Sequence, residues 1–436
     1  MTPHEKEAAL AALTGIGAKP RGLPREFIGQ TGYGEAAVSA PATLSTNNSL
    51  NEILVYARAN NASDVHLCSK NPIILRRFGS LKPVTPDALS AERLKAMVRE
   101  SIKPELIAEF EGSGDLEFVH TIPGAGRFRL TLIKQRNGWD LTARLIALSI
   151  PKFETTGMPK SCENLTKWAQ GLVLVTGPVG CGKSTTLYIL IEMINQTRHD
   201  DIITIENPVE IVYTPKQCQI TQREVRLHTM SQANALRAAL REDPDILVVS
   251  ELRDLESIQL AVTAAETGHL VLSTLHTIDA SKTAERIVGT FEAGDQQAVR
   301  ARLAASFRCF VSQRLIPLKS GGRIAVVEVL KSTMRTREYL ARGEEGAQGK
   351  SLLDAMRDGA MDGMQHFDGE IEALVRKGEI SLPTALLNAT NAGNLRLALS
   401  DFRDDEEGAS PAVSEPIVEE APAIESRIIT GANQYQ

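Results

Sequence analysis

Residues 177–184 read Gly-Pro-Val-Gly-Cys-Gly-Lys-Ser, set between the apolar run 172–175 and a helical apolar pattern over 187–191. A strand ending in such a turn presents backbone N–H groups to phosphate oxygens, and glycines at 177, 180 and 182 permit the positive φ and close approach that a Cβ would obstruct. The spacing GxxxxGK[ST] is that of a phosphate loop. Lys183 is expected to reach the β and γ phosphates of ATP, Ser184 to offer its hydroxyl to Mg²⁺, and the following helix to face the phosphates with its positive end. Gly177, Pro178, Val179, Gly180, Cys181, Gly182, Lys183, Ser184 and Thr185 are therefore the candidate nucleotide-binding residues.

At 436 residues the chain is too long for one ordinary core, which implies two globular bodies plus tails. No run approaches the ~20 apolar residues that cross a bilayer, and the start lacks a charged-then-apolar leader, so a cytoplasmic protein is expected. Cys68, Cys162, Cys181, Cys218 and Cys309 are scattered and form no C-x-x-C pair, which points to reduced thiols and against a zinc site or disulfide framework. Cys181 lies where positive charge would favour a thiolate, although a small residue at a variable loop position is the plainer account. The formal charge of −6 is concentrated at one end: from Asp401 onward there are nine acidic and two basic residues, a net of −7, so the remainder is near +1. No strongly basic nucleic-acid surface is implied.

Residues 1–46 read as a flexible arm with one short helix near 5–13. Residues 47–150 read as a small α+β domain: helices at 51–60 and 90–102, the second capped by Ser90, and strands at 65–67, 73–77, 115–121, 126–134 and 140–148, with Pro123-Gly124 marking a turn. A polar connector follows at 151–163. Over 164–400 strands and helices alternate. Parallel strands are expected at 172–175, 202–205, 246–249, 270–274 and 324–329, with helices at 185–195, 231–241, 255–267 and 280–288 and more beyond 333. The result is an α/β fold with a doubly wound sheet, which binds its ligand at the carboxyl ends of the strands. Residues 401–436 form an acidic tail expected to be disordered.

Hydrolysis of a nucleoside triphosphate also needs acids to hold Mg²⁺ and orient water, and positive charge to oppose what develops in the transition state. The run 202–205 delivers Glu206, with Glu210 four residues on. The run 246–249 ends at Ser250-Glu251, and 270–274 has His276 beyond its end and His269 at its beginning. Any one of these acids alone reads as a solvated surface charge; their repetition after successive strands points to a shared site. The general base is left open between Glu206, Glu210 and Glu251, with Glu251 also a candidate Mg²⁺ ligand. The two histidines read either as structural groups or as links between nucleotide state and backbone position.

Four segments in order, Gly177-Pro-Val-Gly-Cys-Gly-Lys-Ser-Thr185, Thr204-Ile-Glu-Asn-Pro-Val-Glu210, Leu240-Arg-Glu-Asp-Pro-Asp-Ile-Leu-Val-Val-Ser-Glu-Leu-Arg-Asp254 and Thr267-Gly-His-Leu-Val-Leu-Ser-Thr-Leu-His-Thr277, resemble the Walker A, Asp box, Walker B and His box of the secretion ATPase superfamily. That superfamily includes PilT-like pilus-retraction motors, pilus-assembly motors, GspE-like type II secretion ATPases and type IVB secretion or conjugation ATPases. The resemblance extends over about residues 50–400. It implies a PAS-like N-terminal domain joined to a RecA-like ATPase domain, a homohexameric ring, ATP between the two domains, and recruitment to a platform protein at the cytoplasmic face of the inner membrane. It also implies that Arg129 and Arg144 approach the phosphates, with Arg127 and Arg136 as less clear matches. A guanidinium suits that role because it stays charged and pairs bidentately with phosphate oxygens.

The chain departs from the family pattern at three points. Asn207 replaces the Asp after the first acid of the Asp box, Ser250 replaces the Gly before the Walker B Glu, and the four-cysteine zinc element of assembly and type II ATPases is missing. Residues 333–340 occupy the place of the retraction signature without reproducing it, so a type IVB or conjugation ATPase fits as well as a retraction motor or slightly better. Three functions follow: a hexameric Mg²⁺-dependent ATPase that converts hydrolysis into domain motion, a nucleotide-binding switch or scaffold with little turnover, and a nucleic-acid-moving ring, which the charge balance disfavours.

Overall fold

In the computed structural model, residues 41–77, 79–343 and 351–402 are described; the arm's expected helix near 5–13 and the tail beyond 402 lie outside them. The first body opens with α1 (Leu50–Ala59), capped by Ser49, whose hydroxyl accepts from the Glu52 N–H while the Glu52 carboxylate reaches back to the Ser49 N–H. There follow β1 (Asp64–Cys68), β2 (Ile74–Arg77), β3 (Ser80–Pro83), α2 (Ala91–Ser101), α3 (Pro104–Ser113), β4 (Asp115–Ile122), β5 (Gly126–Gln135) and β6 (Gly138–Leu145). The six strands pair antiparallel in the order β3-β2-β1-β6-β5-β4. Along β5, Phe128, Leu130 and Leu132 are buried while the intervening Arg127, Arg129 and Thr131 are not. That alternation sends one face of the sheet to the helices and leaves the other bearing the arginines.

Two short 3₁₀ turns, Phe153–Thr155 and Lys160–Lys167, carry the chain to the second sheet. Arg198 pins this connector, donating to the carbonyls of Thr166 and Trp168. β7 (Gly171–Thr176) is buried throughout, and α4 (Lys183–Thr197), β8 (Asp201–Glu206), β9 (Gln219–Glu224), α5 (Gln232–Ala239), β10 (Ile246–Val249), α6 (Leu255–Glu266), β11 (Leu270–Leu275), α7 (Ala280–Val288), α8 (Gln296–Ser306), β12 (Phe307–Pro317) and β13 (Arg323–Lys331) complete the sheet and its helices. The order is β13-β12-β7-β11-β10-β8-β9. Leu172 and Leu174 pack on one side with Leu236, Ala261 and Ile287, whereas Val173 and Val175 pack on the other with Leu187, Ile191 and Ile194 of α4. Burial of both faces explains the unbroken apolar runs that mark these strands. Short helices α9 (Met334–Arg342), α10 (Leu352–Asp358), α11 (Phe367–Arg376), α12 (Leu382–Asn388) and α13 (Ala392–Ala398) close the described chain.

One strand assignment needs correction. The 324–329 run, expected to be parallel, lies within β13, which is antiparallel to β12. The connection 318–322 is a tight turn with Gly321 and Gly322 at positive φ, and so short a link joins only antiparallel neighbours. The parallel partner of β7 on that side is β12, whose polar Ser312-Gln313-Arg314 segment hid it among the helices. The edge strand β9, reading Gln-Ile-Thr-Gln-Arg-Glu, and helix α3 also went unread.

Candidate functional site

Strands β7, β8, β10 and β11 are mutually parallel, so their carboxyl ends meet on one edge, and the phosphate loop follows β7 there. Gly177 is demanding: its φ is +143°, and a Cβ would stand 2.4 Å from the Gln313 carbonyl oxygen and 2.5 Å from Cys181 Sγ. Gly182, at φ +98°, is the left-handed residue from which α4 departs. Pro178, Val179, Gly180, Ser184 and Thr185 face outward, whereas Cys181 and Lys183 are buried.

Lys183 Nζ is 2.9 Å from the Gly177 carbonyl, 3.0 Å from that of Pro178 and 3.1 Å from His276 Nδ1. His276 Nε2 in turn lies 3.2 Å from Glu251 Oε1, and Glu251 Oε2 accepts from Arg253. Both imidazole contacts carry a hydrogen when Nδ1 accepts from the ammonium and Nε2–H donates to the carboxylate. Lys183, His276 and Glu251 therefore form one line from the phosphate loop across the ends of β11 and β10. Desolvation lowers the Lys183 pKa from its ordinary value, with Glu251 opposing.

A second cluster lies at the end of β8. Glu206 is buried; its Oε1 accepts from Thr204 Oγ1 at 2.7 Å and from Gln222 Nε2 at 2.9 Å. Burial pushes its carboxyl up to about 7, the two hydrogen bonds oppose this, and Glu210 and Glu224 add to the rise. Glu210 accepts from Tyr188 Oη at 3.1 Å and from Arg129 Nη1 at 3.0 Å, and Arg129 is also ion-paired with Glu117 of its own sheet. Arg127 Nη2 donates to the Val209 carbonyl at 2.7 Å. Two guanidinium groups of the antiparallel sheet thus grip the segment after β8.

Not every candidate converges. Arg144, opposite Arg129 in the register, turns to Asp64 within its own sheet, and Arg136 sits in the turn at the far end of β5. His269 is the clearest displacement. It precedes β11, about 20 Å of strand from His276, and its Nδ1 lies 3.0 Å from the Ala264 carbonyl. Strand direction requires this, because residues at the two ends of one strand cannot share an edge. A cleft of about 760 Å³ between the two sheets has Phe118, Arg127, Asn207 and Leu227 in its walls and no residue of the phosphate loop.

The family described as Type II/IV secretion system protein matches residues 41–357. The chain belongs to that family. The type IV pilus retractation ATPase PilT of Pseudomonas aeruginosa is 39% identical over 336 residues, spanning 77% of this chain and 96% of that protein. The crystal structure of the pilus retraction motor PilT with bound ADP superimposes with a TM-score of 0.71 at 36% identity, covering 79% of this chain and 98% of that one. The X-ray structure of the Legionella pneumophila ATPase DotB gives 0.67 at 25% identity, covering 80% and 97%. The α/β fold, a RecA-like sheet preceded by a smaller α+β body, is that of the secretion ATPases.

At Ser250, where the family pattern has glycine, the backbone joins three strand ends: its N–H donates to the Ile205 carbonyl and its carbonyl accepts from Thr274 Oγ1, contacts that a glycine would make equally. Burial pushes the Cys181 thiol up against the pull of Lys183, which opposes a thiolate there. Among the described residues no group of three or more His, Cys, Asp or Glu side chains could close around a metal ion. The residues still suit Mg²⁺, which keeps most of its waters and binds through one or two protein oxygens together with phosphates; the exposed Ser184 hydroxyl and Glu251 meet that need. The contacts of Tyr188, Gln222 and Tyr213 were not read from sequence. Thr204 was accessible, since residues two apart on a strand share a face with Glu206.

Proposed function

We propose that the chain is the ATP-hydrolysing subunit of a homohexameric motor that drives a type IV pilus or a related secretion machine from the cytoplasmic face of the inner membrane. Residues 47–150 are the body that moves, and 164–400 the body that holds nucleotide. The observation that carries this reading is the line Lys183–His276–Glu251, which ties the loop lysine to an acid on the neighbouring strand edge.

In this reading the loop's backbone N–H groups and Lys183 hold the phosphates, while Ser184 and Glu251 present oxygens to Mg²⁺. Bound together, ATP and Mg²⁺ would supply the transferable phosphoryl group and the charge that offsets its oxygens. Glu251, Glu206 and Glu210 are the acids within reach of an attacking water, and His276 holds Glu251 and Lys183 in register. Arg129 leaves Glu210 for phosphate as the two bodies close, with Arg144 beside it; the loss of that anchor after hydrolysis frees the smaller body. Identity of 36% with the solved retraction motor, against 25% with DotB in the same kind of superposition, favours a retraction-type motor over a type IVB one. Its partners are further copies of itself and a membrane platform protein, without direct nucleic-acid contact.

The test is phosphate release by the purified full chain. Lys183→Ala is expected to abolish it. Wild-type turnover in that variant would end the proposal, and a wild-type chain that binds ATP without releasing phosphate would leave the switch or scaffold reading in its place.

A further inference from the structure

Tyr213 is buried, with 5% of its surface exposed, yet its hydroxyl has no hydrogen-bond partner. A buried hydroxyl left unpaired has lost its hydrogen bonds to water with nothing in return, so such a group calls for an account. It borders a small chamber whose other polar walls are Ser184, Tyr188, Glu206 and Ser250. Glu206 spends its Oε1 on Thr204 and Gln222, and no described contact satisfies Oε2. The Ser184 and Ser250 hydroxyls likewise make no described hydrogen bond. The chamber offers about 20 Å³ for a water to occupy. About 10–15 Å³ so measured admits one water, provided two to four polar partners surround it. The volume suffices, and the lining carries five polar side chains from which partners can come.

We propose that Tyr213 and Ser250 are positioning residues that hold one buried water against the Glu206 carboxyl, directly behind Ser184 at the first turn of the phosphate-loop helix. The water satisfies the orphaned tyrosine hydroxyl and joins β8, β10 and the helix at the point where nucleotide chemistry is placed. Tyr188 flanks it, with its ring edge-on to that of Tyr213 at 6.4 Å and its own hydroxyl committed to Glu210. The serine at 250, where the family pattern has glycine, thereby acquires a use: it supplies a hydroxyl that glycine lacks. This rests on the hydrolytic reading above, which it deepens, but the water itself can be sought without turnover.

The experiment pairs high-resolution crystallography of the nucleotide-free full chain with steady-state kinetics of Tyr213→Phe and Ser250→Gly. The wild-type map is expected to show one water within hydrogen-bonding distance of Tyr213 Oη and the Glu206 carboxyl, lost or displaced in Tyr213→Phe. Turnover in Tyr213→Phe should fall about tenfold with KM for ATP within about twofold, since a well-ordered bridging water is nearly as good as a direct hydrogen bond and acts here after binding. Ser250→Gly should fall less in kcat, with the water retained at lower occupancy. A dry chamber in the wild-type map overturns the proposal, as does Tyr213→Phe with wild-type kcat. Failure of the wild type to hydrolyse ATP would sink the hydrolytic reading, and an absent water this one.

Discussion

Two acids stand at the ends of neighbouring parallel strands, one residue position apart in topology and very different in surroundings. Glu251, beyond β10, retains 21% of its side-chain exposure and touches His276 and Arg253. Glu206, ending β8, is 4% exposed and touches only the neutral groups of Thr204 and Gln222, with the carboxylates of Glu210 and Glu224 nearby. Strand order brings both to the edge; burial and neighbours decide what each can do there. A partly exposed carboxylate that accepts from an imidazole N–H and a guanidinium stays open to metal and water. A carboxyl pushed up to about 7 changes its charge within the working pH range.

That contrast is most directly broken by replacing each acid with its amide. Glu251→Gln is expected to reduce kcat by about 10²–10³ at pH 6 and pH 8 alike, with ATP binding retained. Glu206→Gln should be nearly silent at pH 6, where the native carboxyl is mostly protonated and an amide resembles it, and should cost about tenfold at pH 8, where a charge is lost. Kinetics of both variants across that interval decide the matter. A Glu206→Gln deficit that stays constant with pH would mean the two acids share one environment in practice.

The contrast was only half legible in the sequence. The edge itself was, because apolar runs at 172–175, 202–205, 246–249 and 270–274 followed by polar residues imply parallel strands with a common end. Glu206 and Glu251 were then hard to tell apart: one follows Ile202-Ile203-Thr204-Ile205 directly, the other follows Ile246–Val249 after Ser250. What separates them is long-range. Gln222 arrives from β9, which reads as polar because it is an edge strand, and Tyr213 arrives from an irregular segment with no periodicity. The grip of Arg127 on Val209 is equally invisible, since the two residues are 82 positions apart and belong to different sheets. His269 and His276 show the converse: one strand's two ends were read as one site, and direction alone separates them.

A smaller effect distinguishes Arg129 from Arg144. Arg129 bridges Glu117 of its own sheet and Glu210 of the other, whereas Arg144 pairs only with Asp64 beside it. Partly exposed pairs of this kind add about 0–1 kcal/mol to stability, so neither Arg129→Gln nor Arg144→Gln should shift the melting temperature by much. Turnover should fall about fivefold to tenfold in Arg129→Gln, by loss of the group that can exchange a carboxylate for phosphate, and less in Arg144→Gln. An equal or larger loss in Arg144→Gln would show that the link to Glu210 is incidental.

Glu328 sharpens the comparison from outside the site, and its replacement should alter turnover least. It is as buried as Glu206 and is also pushed up to about 7 by burial, but it sits on β13 and accepts the Ala280 N–H at 2.8 Å, where α7 begins. Asp279 is the N-cap of that helix, and Glu328 satisfies the neighbouring first-turn N–H of Ala280, which its carbonyl oxygen can do in the neutral or the charged form. A carboxyl whose folded pKa lies above its ordinary 4.5 binds more protons folded than unfolded. Stability therefore falls as pH rises from about 4.5 to about 7 and levels off above, by up to about 3 kcal/mol for a rise of this size. Glu328→Gln keeps the accepting oxygen and removes the titration. Denaturant unfolding at pH 5, 6 and 7 should give a shallower decline than in the wild type, with kcat unchanged at pH 7. An identical pH dependence in the two proteins would mean that the proton is held elsewhere. Glu206 would then be the stronger candidate for the remaining slope, since the same sign applies to it and only its amide variant would flatten the curve while also touching turnover.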